Sequence, residues 1–231
     1  MDGAACCIRQ CAGELTVVVD LSRQRLLDEF ERDSLIKRFE FTYEMGWKLM
    51  MSFEKENGVT GMLGSKDVVR HAVALGLIEN GEAWMDMIDA RNQTSHVYDE
   101  DTAADVADSI IFCISSSATG TARENEAYRM FGLSDRSYKE LIQIVASIPE
   151  IEEAIIYGSR ARGDYWHASD IDLSLRGKDL TKKTQRTLND KLYESHIPYF
   201  FDTNIYSEIR NPAFKANVDR DGKMFFRRGA L

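Results

Sequence analysis

The sequence predicts a two-domain protein, an all-α bundle followed by an α/β domain with a mixed sheet. Three observations carry that expectation. A chain of 231 residues is longer than the usual single domain. Apolar residues recur at helical spacing through the first half, whereas short apolar runs that stop at glycine or aspartate begin only at Ile151. Charge divides the chain too: residues 1–135 carry 24 acidic against 13 basic side chains, and residues 136–231 carry 14 against 16. The expected boundaries are a flexible extension over 1–14, a helical bundle over 15–135 and a second domain over 136–231.

From Leu21 to about Glu56 the apolar residues Leu26, Leu27, Phe30, Ile36, Phe39, Phe41, Tyr43, Met45, Trp47, Leu49, Met50 and Phe53 recur without proline. That content is too broad for one thin stripe, so either one long helix packed on two sides or two helices with a bend is expected. Asn57 and Gly58 stop it. A second helix opens at Ser65-Lys66-Asp67 and runs to Gly76, a third covers about Glu82 to Ala90, and a fourth follows Asp101-Thr102. Trp47 and Trp84 read as core.

In the second half, Ile151 to Tyr157 reads as a strand that runs into Gly158-Ser159-Arg160-Ala161-Arg162-Gly163. A turn at a strand end can offer the backbone N–H groups of Gly158 and Ser159 and a hydroxyl to phosphate oxygens, with charge from Arg160 and Arg162. Asp170 and Asp172 follow on a second strand, where a period of two points both carboxylates the same way while Ile171 and Leu173 face the core. Such close like charges call for a cation between them, and Mg²⁺ suits carboxylate oxygens that share it with substrate phosphates. A third carboxylate is expected from Asp202 on the hydrophobic run Pro198 to Ile205. This is equipment for moving a nucleotidyl group with a divalent metal.

The helical half has its own polar constellation, Arg91 to Glu100. Arg91 offers fixed charge and forked donors suited to a phosphodiester, and His96 can exchange a proton near neutral pH. Together they could promote attack of a ribose 2′-hydroxyl on its phosphate without a metal. The alternative is a buried helix junction in which Arg91 pairs with Asp89 or Glu100.

Two resemblances sharpen these readings. Gly158-Ser159, ten residues, then Asp170-Ile171-Asp172 resembles the signature of the minimal nucleotidyltransferases of the DNA polymerase beta-like superfamily, over about Ser137 to Leu231. The resemblance implies that Gly158 and Ser159 hold the triphosphate of ATP, and that Asp170, Asp172 and Asp202 bind Mg²⁺. Residues 15–130 resemble the HepT-like branch of the HEPN family, through Arg38 to Lys48, Val69 to Ala72 and Trp84 to Glu100. The family's Arg-x4-His-x-Tyr motif falls on Arg91, His96 and Tyr98. It implies a four- or five-helix bundle that forms homodimers with a composite ribonuclease cleft, and a toxin-antitoxin pairing in which the transferase places AMP on the motif tyrosine, Tyr98. This chain departs from the two-gene arrangement by carrying both parts. A structured RNA such as a tRNA end is the expected target of the cleft.

A second reading stays open, that of a small-molecule nucleotidyltransferase whose helical half binds the acceptor. The acidic composition speaks against a broad nucleic-acid footprint. No apolar run of eighteen residues and no basic-start leader occurs, so neither a membrane span nor secretion is expected. Cys6, Cys7, Cys11 and Cys113 lack zinc spacing and read as free thiols in a reducing cytoplasm. Lys182, Lys183 and Arg186 read as a solvated helix face and Arg227-Arg228 as a polar tail. Trp166, between the glycine-serine turn and Asp170, is a candidate for shaping the nucleotide entrance.

Overall fold

The computed structural model describes residues 2–95, 100–118, 130–166 and 168–229. It divides into two compact units, Met1–Ala122 and Arg123–Leu231. The division falls before the expected boundary at 135, because Phe131 and Leu133 pack into the core of the second unit.

Within the described residues the first unit is helical: α1 (Asp2–Ser22), α2 (Glu29–Glu56), α3 (Ser65–Ala74), α4 (Gly81–Thr94) and α5 (Glu100–Ala118). The stretch expected to be a flexible extension is helical from Asp2 onward. The helix is anchored where that stretch ends: Leu15 and Val19 are buried in one core with Leu35, Ile36 and Phe39 of α2, and Glu14 forms an ion pair with Arg38. A separate α2 begins after the turn at Ser22, where Asp28 accepts from Glu31 N at 2.9 Å and Glu31 Oε2 accepts from Asp28 N at 3.0 Å. This reciprocal cap satisfies two donors that the helix start would orphan. At the other end, Asn57 caps the helix and donates to the Phe53 carbonyl at 2.8 Å.

Long α2 is packed on one side only. Phe39 and Tyr43 are buried, while Phe30, Phe41, Leu49 and Phe53 remain exposed. Trp47 and Trp84 pack against the core as expected.

Glu54 in the last turns of α2 is fully buried, and among the described residues its carboxylate oxygens have no hydrogen-bond partner. Burial raises its pKa from 4.5 to about 7. The folded state then holds a proton that the unfolded chain releases, so stability falls as pH rises from about 4.5 through about 7. Glu54→Gln mimics the protonated form at every pH. It should match wild type near pH 4.5 and exceed it by up to about 3 kcal/mol at pH 8, read from denaturant melts at both pH values. An unchanged difference between the two pH values would show that the carboxyl is hydrated.

The second unit contains α6 (Asp135–Ala146), β1 (Glu153–Ile156), α7 (Gly158–Arg162), β2 (Ile171–Arg176), α8 (Lys182–Glu194), β3 (Phe201–Ile205), α9 (Pro212–Asp221) and β4 (Lys223–Arg227). The strand order is β3-β2-β1-β4. β1 runs antiparallel to β2 and β4, whereas β2 and β3 are parallel, with α8 as the crossover that a parallel pair requires.

Strand alternation sorts the side chains. Ile156, Leu173 and Leu175 join Leu141 and Val145 of α6 and Leu188 and Leu192 of α8 in one core. The opposite face carries Asp172, Ser174, Asp202 and Asn204. β4 replaces the expected polar tail: Arg227 pairs with Glu153 at 3.0 Å, and Arg228 donates to the carbonyls of Ala146, Ile148 and Ile151.

Candidate functional site

The glycine-serine turn follows β1 directly. Tyr157 N donates to the Asp172 carbonyl at 3.1 Å, carrying the β1–β2 register one residue past the strand. Gly158 then takes φ +69°, and a Cβ there would lie 2.2 Å from Asp172 Oδ2. Only a residue without a side chain permits both that backbone and that approach. Ser159 sits half-buried in the single turn of α7, which ends at Gly163 with φ +89°.

Asp170 is exposed just before β2, Asp172 is half-buried in it, and Asp202 is exposed and directly opposite Asp172 in the parallel register. Burial, and then the charges of Asp202 and Asp170, raise the Asp172 carboxyl from 3.8 to about 6. The three carboxylates expected to act together therefore gather at the head of two adjacent strands beside the glycine-serine turn.

Arg160 departs from the expectation that it adds charge for a phosphate. It is 1% exposed, and its guanidinium donates to the carbonyls of Ser169 at 2.6 Å, Asp170 at 3.1 Å and Phe131 at 3.0 Å. Its plane lies 4.3 Å from the centre of the Tyr199 ring. The side chain braces the loop that leads to Asp170, and the free ends of its fork are used by backbone oxygens rather than by solvent. Arg162 keeps its charge at the surface, paired with Asp164 at 3.1 Å and Asp221 at 3.8 Å. In the braced loop Trp166 is 66% exposed, with Trp166 N donating to Ser169 Oγ at 2.9 Å.

In the helical unit, Arg91 lies in the last turn of α4 on a groove of about 370 Å³ lined by Lys37, Glu40, Glu44 and Lys48. Its partners are Glu40 at 3.9 Å and Glu44 at 3.5 Å, not the anticipated Asp89 or Glu100. Glu100 instead pairs with Arg32 at 2.8 Å. Thr94 bridges the group, donating to Glu40 Oε1 at 2.7 Å. His96 and Tyr98 lie outside the described residues.

The spacing missed a polar row beneath the aspartates. Ser174 Oγ donates to Asn204 Oδ1 at 2.8 Å, and Asn204 Nδ2 donates to Tyr157 Oη at 2.9 Å. Ser174 and Asn204 each follow a site aspartate by two residues, so the strand period was a signal for them.

Among the described residues, no set of three or more His, Cys, Asp or Glu side chains closes on a point that would hold a metal unaided. The donor chemistry nevertheless fits Mg²⁺, which keeps several waters and takes one or two carboxylates together with substrate phosphates. Asp172 and Asp202, opposed in register and mutually repelling, supply such a pair, with Asp172 Oδ2 seated in the space that the missing Cβ of Gly158 leaves.

Comparison with known proteins agrees with this division. Residues 8–123 match the family model described as nucleotidyltransferase substrate binding protein like, and residues 139–230 match the polymerase beta nucleotidyltransferase model. A probable ribonuclease HepT of Haemophilus influenzae is 38% identical over 72 residues, which cover 29% of this chain and 49% of the relative. The chain thus spans about half the length of that curated relative. No helix among the described residues is long and apolar enough to cross a membrane. With one model matched over half its length and the other over the sheet that carries the aspartates, this chain belongs to the HepT-like nucleotidyltransferase substrate-binding family, joined in one polypeptide to a nucleotidyltransferase domain of the polymerase beta kind.

Proposed function

We propose that this protein is a Mg²⁺-dependent protein adenylyltransferase that moves AMP from ATP to Tyr98 of its own kind of helical unit, and so silences a metal-independent ribonuclease in the manner of a toxin-antitoxin pair. The observation that carries the reading is the Gly158 turn pressed against Asp172, with Asp202 in register beside it. The turn binds the triphosphate through its backbone N–H groups and the Ser159 hydroxyl. The Tyr98 oxygen bonds to the α-phosphorus as the bond from that phosphorus to the bridging α–β oxygen breaks. Pyrophosphate leaves, and the phenolic proton passes to a site carboxylate. Mg²⁺, when bound by Asp170, Asp172 and Asp202, supplies neutralisation of the phosphate charge.

In the helical unit, Arg91 binds the RNA phosphate and His96 handles the proton. An AMP on Tyr98, two residues from His96, excludes RNA by bulk and by like charge. The exposed apolar stripe Phe41, Leu49 and Phe53 on α2 supports pairing with a second copy through this unit.

The test is intact mass spectrometry after phosphodiesterase treatment, with ATP and Mg²⁺ added back. Wild type should gain the mass of one or more adenylates, mapped to Tyr98, and Asp202→Ala should not. Absence of labelling on any residue, with ATP consumed when small alcohols or aminoglycosides are supplied, would replace this reading by that of a small-molecule transferase.

A further inference from the structure

In the second unit, three strands contribute to one row across the sheet. Tyr157 extends the β1 register opposite Asp172, and Asp172 stands opposite Asp202, while Ser174 stands opposite Asn204 one step along the same face. The Tyr157 ring passes across β2 to reach β3, where its oxygen accepts from Asn204 Nδ2 at 2.9 Å. Asn204 can donate there because its own oxygen is engaged by Ser174 Oγ at 2.8 Å, which also fixes which way the amide is turned. The edge of Phe214 packs on the Tyr157 ring at 5.7 Å between centroids and holds it in place.

Every donor in this chain points the same way, from Ser174 to Asn204 to Tyr157, and the last proton is left over. Tyr157 is 6% exposed, and its hydroxyl donates to no described residue. Two residues from Asn204 on the same strand face stands Asp202, whose carboxylate receives no hydrogen bond from a described residue. A buried donor without an acceptor and a carboxylate without a donor therefore share one row. Leaving the buried hydroxyl unmatched is costly, whereas a hydroxyl given to an ionised carboxylate is among the stronger hydrogen bonds.

We infer that Tyr157 is a positioning residue: its hydroxyl, held by Asn204 and Ser174, is the donor that the Asp202 carboxylate turns to when it draws in beside Asp172 around a divalent cation. This rests on reading the aspartates as a metal-holding set, but it assigns a task to three side chains that the motif does not include. Ligand orientation by hydrogen bonds from outside the coordination sphere is a general requirement of metal sites. The exposed position of Asp202 leaves its carboxylate free to turn unless a neighbour orients it.

Mn²⁺ binding to the full chain, read by electron paramagnetic resonance without nucleotide, tests the inference independently of any transfer. Tyr157→Phe removes one oxygen and keeps the ring against Phe214. It should weaken Mn²⁺ binding about tenfold with an unchanged thermal midpoint. Asn204→Leu should weaken binding similarly, and the double variant should be no worse than the weaker single, because both cut one chain. If Asn204→Leu misfolds, Ser174→Ala replaces it. In an Asp202→Asn background, Tyr157→Phe should cost nothing further. Wild-type Mn²⁺ affinity in Tyr157→Phe, or a full additional loss in the Asp202→Asn background, would overturn the inference. Wild type that binds Mn²⁺ with this pattern but never transfers AMP would leave the inference standing and remove the proposed adenylylation.

Discussion

Asp172→Asn should lower the rate of AMP incorporation by about a thousandfold or more, without lowering the thermal midpoint. Asn keeps the shape of the side chain and removes the charge that holds a cation. That charge is itself unfavourable to the fold: burial and the neighbouring Asp202 and Asp170 raise the carboxyl to about 6, so its ionised form is strained at neutral pH. Loss of function with equal or greater stability is the expected pairing. Gly158→Ala should give a different pairing. Its new Cβ would meet Asp172 Oδ2 at 2.2 Å on a backbone at φ +69°, so both transfer and stability should fall. Time courses of labelling by intact mass, beside calorimetric melts, separate the two. Robust labelling by Asp172→Asn would displace this aspartate from the centre of the site.

Asp170→Ala protein, demonstrably free of AMP on Tyr98, should cleave RNA where wild type does not. Adding Arg91→Ala should reduce cleavage by about a hundredfold or more, and His96→Ala similarly, since one removes phosphate binding and the other proton transfer. On the proposed reading, the groove makes the substrate selective. Arg91 is shared with Glu40 and Glu44, so an RNA phosphate must compete with two carboxylates for the same guanidinium. Weak nonspecific binding follows, and a structured RNA with several contacts is favoured over bulk single strands. End mapping of products from total RNA would identify it. An unmodified, folded protein that cleaves nothing would leave the helical unit as a docking or acceptor-binding domain.

What is legible in the sequence is what depends on local spacing. Gly158, Ser159, Asp170 and Asp172 lie within one strand-turn-strand, and their relation needs only the period of a strand. Asp202 is reached with more difficulty, because its placement opposite Asp172 is a product of the parallel pairing across α8. Arg160 shows the limit of counting charges: an arginine beside a phosphate-binding turn reads as a ligand until the buried carbonyls of Phe131 and Ser169 are seen to occupy it. Arg91 shows the same, since its partners Glu40 and Glu44 stand on another helix half the unit away in sequence. The N-terminal helix and β4 escape for a related reason. α1 is apolar on a face that makes sense only against α2, and β4 is recognisable only through its pairing with β1.

The strand order carries a consequence for the birth of the molecule. β1 lies between β2 and β4, so the sheet that frames the aspartates is incomplete until the last strand, Lys223–Arg227, has left the ribosome. The helical unit, by contrast, is finished about a hundred residues earlier, which at ~5–20 residues per second is on the order of ten seconds. During that interval a nascent chain owns a complete bundle and no completed transferase. Under the proposed silencing, a transferase translated second cannot act on its own growing chain, and each new bundle would depend in that interval on modification by finished neighbours.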